Sequence, residues 1–372
     1  MSTGHPGTQA QTSSPRATFS WALYDFANTI FSMNVVSMYF PLLIVLDYGL
    51  EDIWVSLANS SSMLLVAASM PTLGALADGR GNRKRSLFLF TALSCAATGA
   101  LGFASGAPSA APLILLFVAS NYFYQGGLVF YNSLLPAVAS PGREGRVSGF
   151  GVSLGYLGSI AGLLLVQPFN EGKLLGWNVP FIKGAGRGAT FLPTAALFFL
   201  FALPLFFRVG EPPAAPSREK KGLIPLLAEA RRIPGLLRFL TAKFLYEDAV
   251  QTVIVFMAVY AKKVVGFSDA ALIPFFILST TCAASGSLLW GSLTDRLSPK
   301  RVLVLVLLGW LLGLFLVILP LGQRPFWALG SALGALLGGT WTAARPLMLS
   351  LTPEDRYGEL FAVEAREHLE EV

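Results

Sequence analysis

Two groups of polar side chains lie at helical spacing inside strongly apolar parts of this chain. Each group contains an acid, a carboxamide and a threonine, and the two groups are 223 positions apart: Asp25, Asn28 and Thr29, then Asp248, Gln251 and Thr252. Residues three and four positions apart share one face of a helix. A carboxylate on such a face can bind a proton, a cation or an ammonium group, or it can form a structural ion pair. The six residues are therefore candidates for binding a substrate or an ion.

Further candidates lie in two other apolar stretches. Asn121 and Gln125 share one face of the first, and Arg345 is the one arginine inside a predicted membrane span. A charge held within a bilayer needs a partner. Arg345 is therefore expected either to neutralise a carboxylate substrate or to pair with Asp25 or Asp248, unless its side chain reaches the membrane surface.

The composition indicates a protein that crosses the membrane many times. Of the 372 residues, 54% are hydrophobic and 13% are charged, and the mean hydropathy is +0.61. Soluble domains are closer to about 25% charged. Cys95 and Cys282 lie in apolar runs and are expected to be inert thiols, while His5 and His368 lie in polar tails, so neither a metal site nor a cofactor is expected. The net charge of +6 does not indicate nucleic-acid binding, because membrane proteins retain cations in their cytoplasmic loops.

The apolar stretches divide the chain into two bundles. Each crossing needs about 20 apolar residues. Residues 1–18 are predicted to be a disordered tail, 19–208 an N-terminal bundle of six spans, 209–237 a cytoplasmic linker with an amphipathic helix, 238–350 a C-terminal bundle of four spans, and 351–372 a polar cytoplasmic tail. The predicted spans are residues 19–46, 55–78, 86–106, 112–138, 147–168, 190–208, 238–261, 270–293, 301–320 and 326–350.

Two charged loops, here called the signature loops, interrupt these spans. In both, a glycine is followed four residues later by an aspartate and then by cations, with an offset of 217 positions between the loops: Gly74, Asp78, Arg83 and Lys84, then Gly291, Asp295, Arg296, Lys300 and Arg301. A motif repeated at constant offset indicates two homologous halves. The predicted face with both loops holds 19 Lys and Arg residues and the opposite face holds 6. This excess places the loops and the N-terminus in the cytoplasm.

The signature loops resemble those of the major facilitator superfamily, and other motifs resemble one branch of it. These are WALYDFANTIF from Trp21, YNSLLP from Tyr131, RVSGFGVSLGYLG from Arg146 and FLYED from Phe244. Together they are similar to the unknown major facilitators, which are related to the autophagy-associated vacuolar effluxers of amino acids. The resemblance covers about residues 19–361.

The resemblance implies an all-α fold of two parallel-repeat helix bundles. It also implies that helices one, four, seven and ten line a central cavity. The aspartate of each signature loop should contact the N-terminus of a helix in the opposite half, where backbone N–H groups lack partners and the helix dipole is positive. Asp295 should reach the start of span five, near Arg146, and Asp78 should reach the start of span eleven.

The last residues depart from this pattern. From Glu364 onward, five of nine residues are charged, so this stretch cannot span a membrane. The sequence therefore predicts six spans plus four, without spans eleven and twelve, as in a truncated gene product. Asp78 would then lack its expected partner.

These observations favour a transporter rather than an enzyme. The main hypothesis is a secondary active transporter of a small polar solute, with amino acids favoured, that works by alternating access in the bacterial plasma membrane, with protons as the candidate coupling ion. A truncated remnant without transport, or a transporter-like receptor, is the alternative. An intramembrane aspartyl hydrolase built on Asp25 and Asp248 is a remote one, because the Gly-x-Gly-Asp motif is missing. Substrate identity, direction and oligomeric state stay open.

Overall fold

The computed structural model describes residues 14–174, 177–180, 182, 184–211, 231, 233–319, 322–353, 357 and 361. Residues 1–13 of the predicted N-terminal tail, nearly all of the predicted amphipathic helix of the linker and most of the predicted C-terminal tail lie outside the described residues. Residues 15–18, predicted as part of the disordered tail, instead form the start of the first helix. The protein is almost entirely helical, as the sequence predicts. Among the described residues, the exception is a short antiparallel pair of strands, β1 (Lys173–Leu174) and β2 (Trp177–Asn178).

Each of the ten predicted spans corresponds to one long helix in the described part of the chain. The helices are α1 (Pro15–Asp47), α2 (Ile53–Arg80), α3 (Arg83–Ala104), α4 (Ala111–Ser133), α5 (Glu144–Glu171), α6 (Phe191–Arg208), α7 (Leu236–Lys263), α8 (Asp269–Leu297), α9 (Pro299–Ile318) and α10 (Gln323–Leu351). A short helix, Leu135–Val138, follows α4, and a 3-10 turn, Arg187–Thr190, precedes α6.

Eight of these helices are long and apolar enough to cross a membrane, judged over the described residues. The other two, α7 and α10, carry Lys243, Glu247 and Arg345 in their interiors. Charged side chains within a spanning helix normally face the bundle interior or a water-filled cavity. The charged residues of α7 and α10 are therefore consistent with helices that line a polar space, and the protein is a multi-pass integral membrane protein.

Helix α1 changes its winding along its length. It begins as an α-helix, Pro15–Phe31, and continues through two π-helical stretches, Ser32–Tyr39 and Leu43–Asp47. A π-helical turn accommodates an extra residue and occurs often at functional sites. The first π-helical stretch directly follows the polar residues Asp25, Asn28 and Thr29.

The core of the first repeat is aromatic. The ring of Tyr131 on α4 stacks between two rings of α1, with centroid distances of 4.6 Å to Trp21 and 4.8 Å to Tyr24. All three side chains are buried. The indole Nε1 of Trp21 donates a hydrogen bond to the Tyr131 carbonyl oxygen at 3.2 Å. These contacts fix α1 against α4 and set the orientation of the polar face of α1.

Candidate functional site

A cavity of about 670 Å³ lies between the two repeats. Its wall includes residues of α1, α4, α7 and α10, together with residues of α2 and α5 and the single described residue Phe361. Side chains with a charge, a hydroxyl or a carboxamide dominate the wall: Asp25, Asn28, Thr29, Ser32, Ser37, Asn59, Tyr124, Gln125, Asn132, Tyr156, Lys243, Glu247, Gln251 and Arg345. Such a space can hold a small polar molecule.

An ion pair joins the two repeats at this cavity. Arg345 of α10 binds both carboxylate oxygens of Asp25 on α1, with distances of 2.6 Å from Nη1 to Oδ2 and 3.2 Å from Nη2 to Oδ1. The exposed fraction of the side chain is 17% for Arg345 and 5% for Asp25. The sequence leaves Asp25 and Asp248 open as partners of Arg345, and in the structure the partner is Asp25. A two-point contact of this kind is among the strongest polar interactions in proteins.

Neighbouring groups hold both members of this pair in place. The amide nitrogen of Asn28 donates to Oδ1 of Asp25 at 3.1 Å. The guanidinium carbon of Arg345 lies 5.8 Å from the ring centre of Trp21 and 5.5 Å from that of Tyr131. A cation over an aromatic face is attracted by the electrons of the ring. The aromatic core of the first repeat thus also forms a binding surface for an arginine of the second.

A second ion pair lies along α7. Lys243 Nζ is 2.5 Å from Glu247 Oε2, and both side chains are buried and contribute to the cavity wall. With Gln251 they form the cavity face of α7, at intervals of four residues. The repeated motif of the sequence predicts that Asp248 faces the cavity. In the structure Asp248 is exposed and does not contribute to the cavity wall, because adjacent residues of a helix point about 100° apart.

The other sequence candidates separate into two groups. The first group lines the cavity together with Asp25 and Arg345, and consists of Asn28, Thr29, Gln125 and Gln251. Thr252 is exposed and lies outside the cavity wall, as Asp248 does. Asn121 is also outside the cavity wall. Its amide nitrogen donates to Oδ1 of Asn59 at 3.0 Å and to Oγ of Ser62 at 2.6 Å, which ties α4 to α2.

Several cavity residues were not predicted from the sequence. Lys243 and Glu247 are charged residues inside a predicted span, a signal that could have identified them. Asn59 and Trp341 carried no such signal, because neither belongs to a polar stripe or a repeated motif.

The second signature loop contacts the opposite repeat as the resemblance predicts. Oδ1 of Asp295 accepts a hydrogen bond from the backbone N–H of Gly145 at 2.7 Å, and Oδ2 accepts one from that of Arg146 at 3.2 Å. Both donors lie in the first turn of α5, where N–H groups have no partner within the helix. The side chain of Arg146 adds an ion pair with Asp295 at 3.5 Å. Arg296, Lys300 and Arg301 of the same loop are exposed.

The first signature loop has described contacts within its own repeat and with one residue that follows α10. Asp78 is buried, and its Oδ1 lies 2.5 Å from Nε of Arg83. The guanidinium of Arg83 in turn lies 5.8 Å from the ring centre of Tyr357. Lys84 Nζ donates to the Val209 carbonyl oxygen at 2.9 Å. The contact predicted between Asp78 and a span eleven falls on a region of which only Tyr357 and Phe361 are described.

The two repeats also pack very closely near the signature loops. A Cβ atom built on Gly149 of α5 would collide with the carbonyl oxygen of Ser287 on α8 and would lie 3.1 Å from Cα of Gly291. Ser148 Oγ donates to the Thr342 carbonyl oxygen of α10 at 2.9 Å. Together with the Asp295 contact and the Asp25–Arg345 pair, this packing holds the repeats together on the signature-loop face.

Removal of the Asp295 charge should weaken this closure more than removal of the Arg146 charge. Asp295→Asn disturbs two hydrogen bonds to helix N–H groups, which are worth about 1.5–3 kcal/mol each when the acceptor is charged. Arg146→Gln removes an ion pair in which the arginine itself is half exposed, since 48% of the Arg146 side chain is accessible to solvent. Ion pairs at exposed positions contribute about 0–1 kcal/mol. Thermal unfolding of the two purified variants measures the difference, and an equal loss of stability would contradict the assignment.

Comparison with known proteins assigns this architecture to a family. The model of the Major Facilitator Superfamily matches residues 26–363. The chain is 27% identical over 366 residues to the uncharacterized MFS-type transporter YxiO of Bacillus subtilis, with 92% of this chain and 82% of that protein covered. It is 26% identical over 256 residues to autophagy-related protein 22-1 of Aspergillus fumigatus, with 59% of this chain and 40% of that protein covered.

A solved structure shares the fold. The crystal structure of the MFS transporter FucP in the outward conformation superposes with a TM-score of 0.72, covering 96% of this chain and 89% of that chain. The sequence identity is 14%, so this likeness concerns the arrangement of the helices alone.

Proposed function

Since this chain belongs to the Major Facilitator Superfamily, which indicates a transporter rather than an enzyme, we propose that it carries a small zwitterionic solute, with amino acids favoured, by alternating access. The observation that supports this proposal most directly is the Asp25–Arg345 pair, which links the repeats at the wall of the cavity. We place the protein in the bacterial plasma membrane with the signature-loop face in the cytoplasm. We also place it in the branch related to the autophagy-associated effluxers.

The charges of the cavity favour a zwitterion over an ion of one sign. Both pairs, Asp25 with Arg345 and Lys243 with Glu247, balance internally. A singly charged solute that separated one of these pairs would leave a buried charge without a partner, at a cost of about 3–5 kcal/mol. A molecule with one carboxylate and one ammonium group can replace both partners at once. Amino acids are the simplest solutes of this type.

We propose protons as the coupling ion, because the Asp25 and Glu247 carboxylates face the cavity. Loss of charge on either acid would release its cationic partner. For Asp25 that partner is Arg345 of the other repeat, which links protonation of Asp25 to the contact between the repeats. A receptor or a non-transporting remnant would bind a solute without moving it. An aspartyl hydrolase is disfavoured, since Asp248 does not line the cavity that Asp25 lines.

Two adjacent carboxylates on α7 provide a matched test in proteoliposomes. Uptake and efflux of a mixed amino-acid pool would be measured with and without a proton gradient for the natural chain, Glu247→Gln and Asp248→Asn. We expect the gradient to accelerate transport. Glu247→Gln should lower the rate about tenfold or more, since it leaves the buried Lys243 ammonium poorly compensated. Asp248→Asn should change the rate less than about twofold, as exposed charge pairs contribute little.

The outcomes separate the candidate functions. Binding of amino acids without any movement across the membrane would favour the receptor or remnant. No binding of any amino acid would contradict the zwitterion proposal. Loss of transport in Asp248→Asn but not in Glu247→Gln would show that the wrong face of α7 has been assigned.

A further inference from the structure

A second, smaller cavity lies inside the second repeat. Its volume is about 160 Å³, and its wall is formed by apolar side chains such as Val253, Met257, Phe275 and Leu337. A dry apolar cavity of about 150 Å³ in another protein is large enough to bind benzene. This apolar pocket therefore has the capacity for one aromatic ring or a branched aliphatic group.

The apolar pocket adjoins the polar cavity. Tyr156 of α5 contributes to the walls of both. On α10, Trp341 lines the polar cavity and Leu337 lines the apolar pocket, and on α7 the corresponding residues are Gln251 and Ile254. The two helices run in opposite directions. The path from the polar cavity to the apolar pocket therefore leads away from the signature-loop face along both helices. The separation along the helix axis is about 4.5 Å on α7 and about 6 Å on α10, close to one helical turn in each case.

Two buried polar atoms in the pocket wall lack a hydrogen-bond partner among the described residues: the phenolic oxygen of Tyr156, which the pocket shares with the polar cavity, and the hydroxyl oxygen of Ser279 on α8. A buried hydroxyl without a partner costs free energy unless a ligand or water satisfies it. The pocket therefore combines a mostly apolar wall with a position for a hydrogen bond at Ser279, in addition to the Tyr156 hydroxyl at its border with the polar cavity.

We propose that the apolar pocket is the subsite for a ring-sized apolar group of an amphipathic substrate whose charged head occupies the polar cavity. This inference rests on the proposed function and specifies its substrate class: an amino acid with a large apolar side chain, best matched when its ring carries one hydrogen-bonding group. Glycine and serine would reach the polar cavity but leave the pocket empty.

Equilibrium binding to the purified protein tests this subsite with glycine, serine, leucine, phenylalanine and tyrosine, which share one head group. Leucine and phenylalanine should bind at least about tenfold more tightly than glycine, because they bury a full apolar side chain. Tyrosine should bind more tightly than phenylalanine, and Ser279→Ala should remove this difference.

Val253→Phe fills the pocket and should reduce the affinity for leucine and phenylalanine to that for glycine, while glycine binding is unchanged. Leu245→Phe is the matched control on the same helix, since Leu245 is 63% exposed and lies outside the pocket; it should leave the series unchanged.

The results of these binding measurements test the subsite and the proposed function separately. Equal affinity for glycine and phenylalanine, or insensitivity of the whole series to Val253→Phe, would overturn the subsite while amino-acid binding stands; a lipid chain would then be the occupant of the pocket. Equal affinity for tyrosine and phenylalanine would overturn the role of Ser279. Absence of binding by every member would contradict the proposed function and the subsite together.

Discussion

Asp25→Asn is expected to reduce transport about 100-fold and to destabilise the protein, because it leaves the Arg345 guanidinium in a largely enclosed site without its carboxylate. Breaking a buried ion pair by removing one partner costs about 3–5 kcal/mol. Arg345 has a 17% exposed side chain and contacts the faces of Trp21 and Tyr131. Water and these rings compensate part of the lost attraction, so the lower end of this range is expected.

The double variant Asp25→Asn/Arg345→Gln separates folding from transport. Removal of both charges leaves none unpaired, so stability should recover relative to Asp25→Asn alone. Transport should not recover, because the groups that exchange partners with the substrate are gone. Arg345→Lys keeps the charge but loses the two-point contact, and should lie between the natural chain and Asp25→Asn. Thermal unfolding and proteoliposome transport are the measurements. Recovery of transport in the uncharged double variant would contradict a role for the pair in binding.

Gly149→Val is expected to hold the signature-loop face open. The added side chain would enter the space occupied by the Ser287 carbonyl oxygen, and backbone atoms cannot move aside without separating α5 from α8. Overpacking of this kind costs about 1–3 kcal/mol. A cost of about 1.4 kcal/mol is sufficient to shift a two-state equilibrium tenfold. The closed state is the one that should become less populated.

Reaction of an introduced cysteine with a hydrophilic maleimide measures this shift. Ser148→Cys, in a background without Cys95 and Cys282, places the thiol at the contact with Thr342, where the natural side chain is buried. Labelling should rise about tenfold in Gly149→Val. Gly79→Val is the control, because no atom of another described part of the chain lies within 4 Å of a Cβ built on Gly79. Unchanged labelling in Gly149→Val would show that this glycine contact does not control access.

Much of this fold could be predicted from composition and periodicity. Spanning helices need long apolar runs, and these runs predict each of the ten helices within a few residues. The α1 stripe of Asp25, Asn28 and Thr29 faces the cavity because helical spacing alone determines a shared face. The contact of Asp295 with the start of α5 followed from the resemblance, and the physical chemistry of helix N-termini explains it.

The α7 site could not be predicted in the same way. The repeated acid, carboxamide and threonine placed Asp248 in register with Asp25, but a sequence repeat fixes residue order and not helix rotation. The cavity face instead carries Lys243, Glu247 and Gln251. For Asn121, polarity in a span was a correct signal of an inward orientation, but its partners are the side chains of Asn59 and Ser62. Only the packed structure distinguishes a residue that binds its neighbours from one that faces a cavity.

The π-helical winding of α1 accommodates an extra residue, so a change to α-helical winding would rotate one part of the helix relative to the other. If the stretch Ser32–Tyr39 rewound as an α-helix, the segment beyond it would turn by about 100° relative to Asp25, without any movement of the anchored half. Val36 and Ser37, which line the cavity and lie within the rewound stretch, would then change their orientation toward the cavity. A single helix could in this way change the lining of the outer part of the cavity while its ion pair with Arg345 stays formed, so the shape of the binding site and the closure of the repeats need not change together.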